Sequence, residues 1–480
     1  MNVFLVNLYY GPMASALVAL GKKKMINPPL GLIQMATLAK EKGHRVTILD
    51  EQCVDGLTKD DYIARIRENR YDVVGFSVNT LNFNYFVQLC RYIKERIPDV
   101  ILVAGGVHIT ALREQALHDS VDYLFLGEAD HGFVEFLGTL PEKSIEKLKK
   151  IPGLLFRNGS EVVNTGRTLV RDLDALPFAD RSLLDYKQFM TTLPSGERVL
   201  STGISASRGC PFHCVFCSEQ ILSGNNHRLH STEYVFAEMK YVQDTFGISH
   251  INFYDSTFNI SRKFVLDLCR LIIDSGRKFT LWVGARASLL DREQLMMLKQ
   301  AGLVRIGIAI ESGNERILKL IKKSQTKEQL IEAFRMAAEV GVPAEAMAII
   351  GNPTETFKEM FETAEFIRKI DTLDITSLGI AIPYPGTELY DMAKNARHGL
   401  KLLSEDWDNY HFYGPGVMEV SGYSPATLVF FQKILLCWSY LRWRKIVAVI
   451  RVHGFRDTLL SLFGFLFKGR SHTNKAPKTA

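Results

Sequence analysis

The chain has little cysteine, seven residues in 480, and this scarcity limits the classes of protein that it can represent. A sparse, odd set excludes the disulfide framework of a small secreted domain, so we expect a reducing cytoplasm. No stretch of 18 uncharged apolar residues occurs, and the sequence therefore predicts no transmembrane helix. No positive charge precedes the apolar N-terminal run, which argues against a secretory signal peptide.

Acidic residues are almost missing from the C-terminal end of the chain. Residues 421–480 contain ten basic residues and one acidic residue, so the first 420 residues carry a net charge of about −3, whereas the whole chain carries +6. The basic character thus belongs to the end of the chain, and no nucleic-acid recognition module accompanies it. We expect no nucleic-acid partner.

Three of the seven cysteines stand together. Cys210, Cys214 and Cys217 have the spacing C-x3-C-x2-C, and no second Cys-x2-Cys pair occurs elsewhere. Three thiolates leave a tetrahedral zinc site incomplete, although zinc or a disulfide stays open as the alternative use. They can hold three irons of a [4Fe-4S] cube and leave the fourth iron free to bind a substrate. The loop therefore predicts a site-differentiated cluster.

The first 145 residues alternate between strand and helix patterns. Predicted strands cover 1–8, 44–50, 72–77, 100–104 and 121–126, with a helix predicted over 108–118, which indicates a doubly wound parallel α/β sheet of the flavodoxin-like type. Such sheets bind ligands at the carboxyl ends of their strands, and small residues there allow close approach of a large ligand. The candidate ligand-binding residues at these ends are Ser77, Thr80, Gly105, Gly106, Gly127 and Glu128.

The rest of the chain divides into four predicted regions. Residues 146–200 are a β-hairpin and a connector, with the hairpin turn at Asn158-Gly159. Six β/α units in 201–385 predict a partial (β/α)6 barrel whose active site lies at the carboxyl ends of its strands. Residues 386–467 form a mostly helical C-terminal region, and 468–480 read as a disordered basic tail.

The cysteine spacing, with aromatic Phe216 before the last cysteine, resembles the signature of radical S-adenosylmethionine (SAM) enzymes. The resemblance implies that the open iron chelates SAM, whose reductive cleavage yields a 5′-deoxyadenosyl radical. Taken singly, the predicted strand-end residues could also be a helix cap, a surface ion pair or a structural acid. The residues to which the resemblance assigns SAM contacts are Asp255 for the amino group, Arg286 for the carboxylate, Glu311 and Ser312 for ribose or methionyl, and Gly351 and Pro353 near adenine.

The N-terminal pattern is similar to the cobalamin-binding domain that precedes some radical SAM domains. The match rests on 28–32, Gly75-Phe76-Ser77, Gly105-Gly106 and Gly127-Glu128. It departs from the better-known motif because the loop after the first strand has no histidine, which implies a cobalt without a histidine ligand. The alternative is a flavodoxin-like sheet that has lost its cofactor.

Together the two resemblances imply a cobalamin-dependent radical SAM enzyme, most simply a methyltransferase acting on an unactivated carbon. Oxidative cyclisation or another rearrangement is the alternative within the family, and a non-catalytic protein with a vestigial cluster is the alternative outside it. A reductant such as flavodoxin or ferredoxin is an expected partner. The apolar and basic C-terminal region favours a lipid-like small-molecule substrate and peripheral membrane contact, or else helices packed on the barrel.

Overall fold

The computed structural model describes residues 1–9, 27–370 and 373–441, and shows two parallel sheets joined by a connector. The helices are α1 (Leu30–Glu41), α2 (Lys59–Asn69), α3 (Phe83–Arg96), α4 (Val107–Leu112), α5 (Asp130–Thr139), α6 (Ile145–Leu148), α7 (Glu219–Leu222), α8 (Thr232–Phe246), α9 (Arg262–Asp274), α10 (Arg292–Ala301), α11 (Glu315–Leu320), α12 (Lys327–Val340), α13 (Phe357–Lys369), α14 (Glu388–Lys394) and α15 (Pro425–Tyr440). The strands are β1 (Asn2–Asn7), β2 (Arg45–Asp50), β3 (Val73–Ser77), β4 (Ile101–Gly105), β5 (Tyr123–Phe125), β6 (Leu154–Asn158), β7 (Glu161–Asn164), β8 (Met190–Thr192), β9 (Arg198–Ile204), β10 (Ser207–Arg208), β11 (Arg228–Leu229), β12 (His250–Phe253), β13 (Thr280–Ala285), β14 (Leu303–Glu311), β15 (Ala344–Ile350), β16 (Leu373–Ile380), β17 (Leu400–Leu402) and β18 (Met418–Val420).

The first sheet has the strand order β2-β1-β3-β4-β5-β6-β7. Its first five strands are parallel in the flavodoxin-like order, which confirms the predicted fold class. Strand β1 serves two cores, since Val3 and Leu5 pack in the core of α1 and α5 while Phe4 and Val6 face α2 and α3. Both faces of the sheet are therefore covered, and its ligand-binding edge is the row of strand ends.

The predicted hairpin forms at Asn158-Gly159 but joins the first sheet rather than standing apart. Strand β6 pairs antiparallel with β5, and β7 pairs antiparallel with β6. From there the connector runs to the second sheet, where Arg181 is fully buried. Its guanidinium donates to Glu238 Oε1 and to Thr202 Oγ1, each at 2.9 Å, which ties the connector to α8 and β9.

The second sheet has the order β16-β15-β14-β13-β12-β9-β8. Six neighbouring strands run parallel and β8 pairs antiparallel at one edge, so the sheet is an open partial barrel, as predicted. Local sequence also determines where the helices end. Thr326 and Gln329 form a capping box at the start of α12, and Gly341 ends the helix in the left-handed conformation. All six parallel strands present their carboxyl ends at one rim.

Several boundaries differ from the predictions. The helix expected over 108–118 ends at Leu112, because Arg113 adopts a φ of +53° and a short 3₁₀ turn follows. The C-terminal region contains α14 and α15 but also the antiparallel pair β17–β18, which its sequence pattern did not indicate. The predicted tail at 468–480 and the end of the preceding region lie outside the described residues.

Candidate active site

The three cysteines lie in a loop that leaves the first strand of the barrel. Strands β10 and β11 pair antiparallel and close this loop over residues 209–227. Within it, Cys217 N donates to Cys214 O at 3.1 Å, and Val215 N donates to Ile321 O at 3.1 Å. The loop is therefore turned back on itself at Cys214 and anchored to the barrel, so the three sulfurs are presented by one rigid segment.

The thiols of the loop must lose their protons before they can bind metal. Burial raises the pKa of Cys214 and raises that of Cys217 to about 12, so both are neutral in the metal-free protein and release protons when iron binds. Within the described ranges, no three His, Cys, Asp or Glu side chains converge as a mononuclear site requires. All seven cysteines are described and none forms a disulfide.

Arg286, at the end of β13, lies against the cysteine loop. Its Cζ is 3.6 Å from the centroid of the Phe212 ring, and its side chain donates to the Cys214 thiol. Nε donates to Ser288 Oγ at 3.1 Å, whereas the buried Nη2 has no hydrogen-bond partner among the described residues. Burial lowers the pKa of this guanidinium. A buried donor left unpaired beside the cluster loop fits the carboxylate of SAM.

Glu311 ends β14 in a strained backbone conformation with a φ of +61°. Its Oε1 accepts from Lys323 Nζ at 2.8 Å in a buried ion pair that acts electrostatically on Cys214. Ser312 Oγ lies 3.2 Å from Thr363 Oγ1, so its hydroxyl already has a partner within the fold. Lys323 belongs to a polar loop without a motif, and sequence reasoning missed it.

Asp255 follows β12 and binds the segment that leads into the cysteine loop. Its carboxylate accepts from Ala206 N at 3.1 Å and from the Ser207 hydroxyl. Burial raises the pKa of this carboxyl to about 6. The structure thus shows Asp255 bracing the strand before the cysteines, and its predicted contact with the SAM amino group stays a prediction.

This raised pKa predicts that Asp255 makes stability fall as pH rises. In the unfolded chain the carboxyl ionises near its ordinary 3.8, but in the folded protein it keeps its proton up to a pKa of about 6. The unfolded state therefore releases the proton first. Relative to Asp255→Asn, the free energy of unfolding of the wild type should fall by about 2 kcal/mol between pH 4.5 and pH 7. Urea unfolding of both proteins at the two pH values measures this change, and an equal change in both proteins would contradict the prediction.

Gly351 and Pro353 follow β15, as predicted, in a turn built around a buried acid. Gly351 has a φ of +80°, which suits glycine. Asn352 N donates to Glu355 Oε2 at 2.9 Å, and Glu355 is fully buried with a pKa raised by burial to about 7. The turn thus places backbone at the rim of the barrel, where the resemblance puts adenine.

The carboxyl edge of the first sheet brings Ser77, Thr80, Gly105 and Gly106 together. Ser77 and Gly105 are paired neighbours and half-exposed. A Cβ at Gly106 would lie 2.4 Å from Val78 O, so only glycine fits there. His108 follows, with Nδ1 3.1 Å from Thr80 Oγ1 and a buried Nε2 that has no partner among the described residues. Small residues and an unpaired polar atom at this edge fit a large amide-bearing cofactor such as cobalamin.

Gly127 and Glu128 have protein partners at the junction of the two sheets. A Cβ at Gly127 would lie 2.3 Å from Thr168 O, so the close approach of the connector requires glycine. The Glu128 carboxylate accepts two hydrogen bonds from Arg228, at 2.6 and 2.7 Å. Their predicted cobalamin contacts therefore stay predictions, and Arg228 is a contact that sequence reasoning missed.

Comparison with known protein families matches both halves of the chain. The model of the radical SAM superfamily matches residues 204–367, which contain the cysteine loop and most of the partial barrel. The model of the B12 binding domain matches residues 16–137, which contain β2 to β5 of the first sheet and most of α5. Each match thus falls within one of the two parallel sheets and its helices.

Individual relatives extend over nearly the whole chain. An uncharacterized methyltransferase of Pyrococcus horikoshii is 30% identical over 435 residues, covering 89% of this chain and 91% of the relative. The anaerobic magnesium-protoporphyrin IX monomethyl ester cyclase of Cereibacter sphaeroides is 24% identical over 81% of this chain and 63% of the relative. The solved structure of TsrM from Kitasatospora setae, a radical SAM methyltransferase with tryptophan and a SAM analogue bound, shares the fold with a TM-score of 0.70 at 18% identity. The match covers 91% of this chain and 89% of that structure.

The fold and the cysteine loop thus define a radical SAM enzyme with a B12-binding domain. The chain belongs to the family of cobalamin-dependent radical SAM methyltransferases, to which cyclases are also related. Its cofactors are a [4Fe-4S] cluster, SAM and cobalamin. Among the described residues no helix is both long and apolar enough to span a membrane.

Proposed function

We propose that this enzyme transfers a methyl group to an unactivated carbon of a hydrophobic small molecule. The observation that carries the proposal is the position of Arg286, whose unpaired buried Nη2 lies beside the cysteine loop at the rim of the barrel. This arrangement supports SAM bound by its carboxylate within reach of an open iron. The B12-binding sheet on the other side of the loop supports a methyl carrier close to the same rim.

The protein's own contribution is positioning, since the cofactors supply electron transfer to SAM and methyl transfer. Cys210, Cys214 and Cys217 hold the cluster, and Phe216 packs beside it against the main core. Arg286 orients SAM by its carboxylate. The buried pair of Glu311 and Lys323 keeps charge balanced near Cys214.

The apolar surroundings of the rim support a hydrophobic substrate. Tyr384, just after β16, packs against the cluster of Ile382, Tyr410 and Val417, as do Trp407 of the C-terminal region and Leu81 at the edge of the first sheet. This aromatic cluster lies between the two sheets, where a substrate would approach both cofactors. A planar or lipid-like molecule matches its surface better than a charged one.

The experiment is anaerobic incubation of the cofactor-loaded enzyme with methyl-labelled SAM, a flavodoxin or ferredoxin reductant and a panel of apolar substrates. Methylation gives a labelled product heavier by one methylene together with 5′-deoxyadenosine. If label reached neither cobalamin nor any product, the methyltransferase proposal would be wrong.

A second candidate is radical oxidative cyclisation, which the similarity to the Cereibacter sphaeroides cyclase supports. The same incubation separates the two activities. A product that has lost hydrogens or gained oxygen without label indicates cyclisation, whereas a gain of one labelled methylene indicates methylation.

We also propose peripheral contact with an anionic membrane through α15. Phe430 and Ile434 on this helix and Leu441 just after it are 59%, 42% and 54% exposed, and the following sequence is strongly basic. Replacing Phe430 and Ile434 with serine should weaken sedimentation with anionic liposomes about tenfold, since each removes an apolar side chain from the lipid boundary.

The matched control for the liposome experiment is Ile331→Ser, which changes an isoleucine of similar exposure on α12, 50% against 42% for Ile434. Unchanged sedimentation of the double variant would favour the alternative that this surface packs against protein. Residence in the reducing cytoplasm stays a prediction from cysteine usage.

A further inference from the structure

The loop that carries the cysteines is closed by a ribbon of only two residue pairs. In this ribbon Ser207 lies opposite Leu229, and Arg208 lies opposite Arg228. Arg208 precedes Cys210 by two residues, so a displacement of the ribbon displaces the cysteines with it. Whatever holds the ribbon therefore determines where the cluster lies.

The two opposed arginines cannot stabilise this ribbon by themselves. Directly opposite residues of an antiparallel pair project from the same face, and like charges there are destabilising. The ribbon needs counter-charges from another part of the molecule. They come from the loop that follows β5 of the N-terminal sheet, through Glu128 and Asp130.

Each arginine forms a bidentate ion pair with one of these acids. Arg208 Nη1 and Nη2 donate to Asp130 at 2.8 and 3.0 Å, and Arg228 Nη1 and Nη2 donate to Glu128 at 2.7 and 2.6 Å. The acid side chains are only 5% and 7% exposed, and Arg208 also lies 3.5 Å from Glu128. Bidentate pairs fix orientation as well as distance. We call these four residues the acid–arginine quartet.

The acids of the quartet are fixed to the cobalamin-binding sheet. Glu128 follows Gly127, whose N donates to Thr110 Oγ1 of α4 at 3.0 Å, and Asp130 begins α5. The quartet therefore joins the strand-end edge of one sheet to the base of the cysteine loop of the other. It does so through bidentate ion pairs, which tolerate a displacement of the two sheets less than apolar packing does.

We propose that the acid–arginine quartet is a positioning device that sets the place of the [4Fe-4S] cluster relative to cobalamin. Its four members are positioning residues, because they act through the cysteine loop and the sheet edge. The inference rests on both cofactors being bound but is independent of the substrate and of the choice between methylation and cyclisation.

The test uses Asp130→Asn and Arg208→Gln in the enzyme loaded with iron, sulfide and cobalamin. We expect both variants to retain iron and cobalamin content and to form 5′-deoxyadenosine within twofold of wild type. Methyl label reaching cobalamin per SAM cleaved should fall about 10- to 100-fold, because a displacement near 1 Å can cost that much. The magnetic interaction between cob(II)alamin and the reduced cluster in EPR spectra should weaken as well.

The spin interaction depends on the distance and relative orientation of the two centres and needs no methyl transfer, so it separates this inference from the proposed reaction. A wild-type interaction in both variants would overturn the inference, and an enzyme that transfers no methyl group would leave this measurement intact. The exchanged double variant Arg208→Asp with Asp130→Arg should restore part of the interaction. If the single variants lose the cluster altogether, failure of this double variant to restore it overturns the inference.

Two further variants complete the experiment. Lys40→Gln removes a different ion pair between the N-terminal sheet domain and the connector, to Asp180 at 2.7 Å, and should leave the interaction unchanged. Glu128→Gln, which removes the charge paired with Arg228, should weaken the interaction. Loss of cobalamin affinity without a change in the interaction would assign Glu128 to the cofactor instead.

Discussion

Cys214→Ala protein will not cleave SAM. Each of the three thiolates accounts for one iron, and the loop offers no replacement sulfur within its closed span of 209–227. Without Cys214 the cube loses a ligand at the turn where the loop folds back on itself. We expect 5′-deoxyadenosine formation to fall more than about 100-fold, because changes even in the surroundings of metal ligands cost 10- to 100-fold.

The measurement is 5′-deoxyadenosine per protein after anaerobic reconstitution, with iron content and visible absorption recorded in parallel. Cys437→Ala is the matched control, since Cys437 is a partly buried free thiol on α15, far along the chain from the loop. We expect the control to keep its cluster and its activity. A Cys214→Ala enzyme that still cleaved SAM would overturn the assignment of the site.

Arg286→Gln will keep the cluster but bind SAM weakly. The substitution removes the buried charge whose Nη2 is unpaired, and a hydrogen bond to a charged group contributes about 1.5–3 kcal/mol. The KM for SAM should therefore rise roughly 10- to 100-fold. Arg286→Lys should recover only part of this loss, because an ammonium cannot reproduce the planar fork of a guanidinium.

Initial rates of 5′-deoxyadenosine formation over a range of SAM concentrations measure the change in KM, and the EPR spectrum of the reduced cluster shows whether it is intact. Arg262→Gln is the control, since Arg262 is exposed on α9 and pairs with Asp291 at 2.7 Å on the barrel's outer surface. An unchanged KM with an intact cluster would show that Arg286 serves only its packing on Phe212.

Short-range sequence signals predicted most of the fold. The alternation of strands and helices was sufficient for both parallel sheets, because apolar periodicity and caps such as Thr326 act within a few residues. The helix expected over 108–118 ends early, at Arg113, whose positive φ no local pattern predicts. The pair β17–β18 was missed because strands of three residues carry too little pattern.

For the site, the sequence by itself determined the chemistry: three thiols in one loop, and the residue types that end each strand. Their spacing is a local property, and local spacing survives any folding of the rest of the chain. The residues that surround Cys214 could not be obtained this way. Lys323 approaches Cys214 only because a separate loop meets the cysteine loop at the barrel rim.

Tertiary structure alone decided how the two halves meet. Glu128 reads in sequence as a ligand contact, yet its partner is Arg228, one hundred residues away. Gly127 is needed because the connector passes at Thr168. Ion pairs and close approaches of this kind depend on distances between segments that the chain's local pattern does not encode. The sequence thus indicated which cofactors the protein uses, and the fold decided how the two sheets are joined.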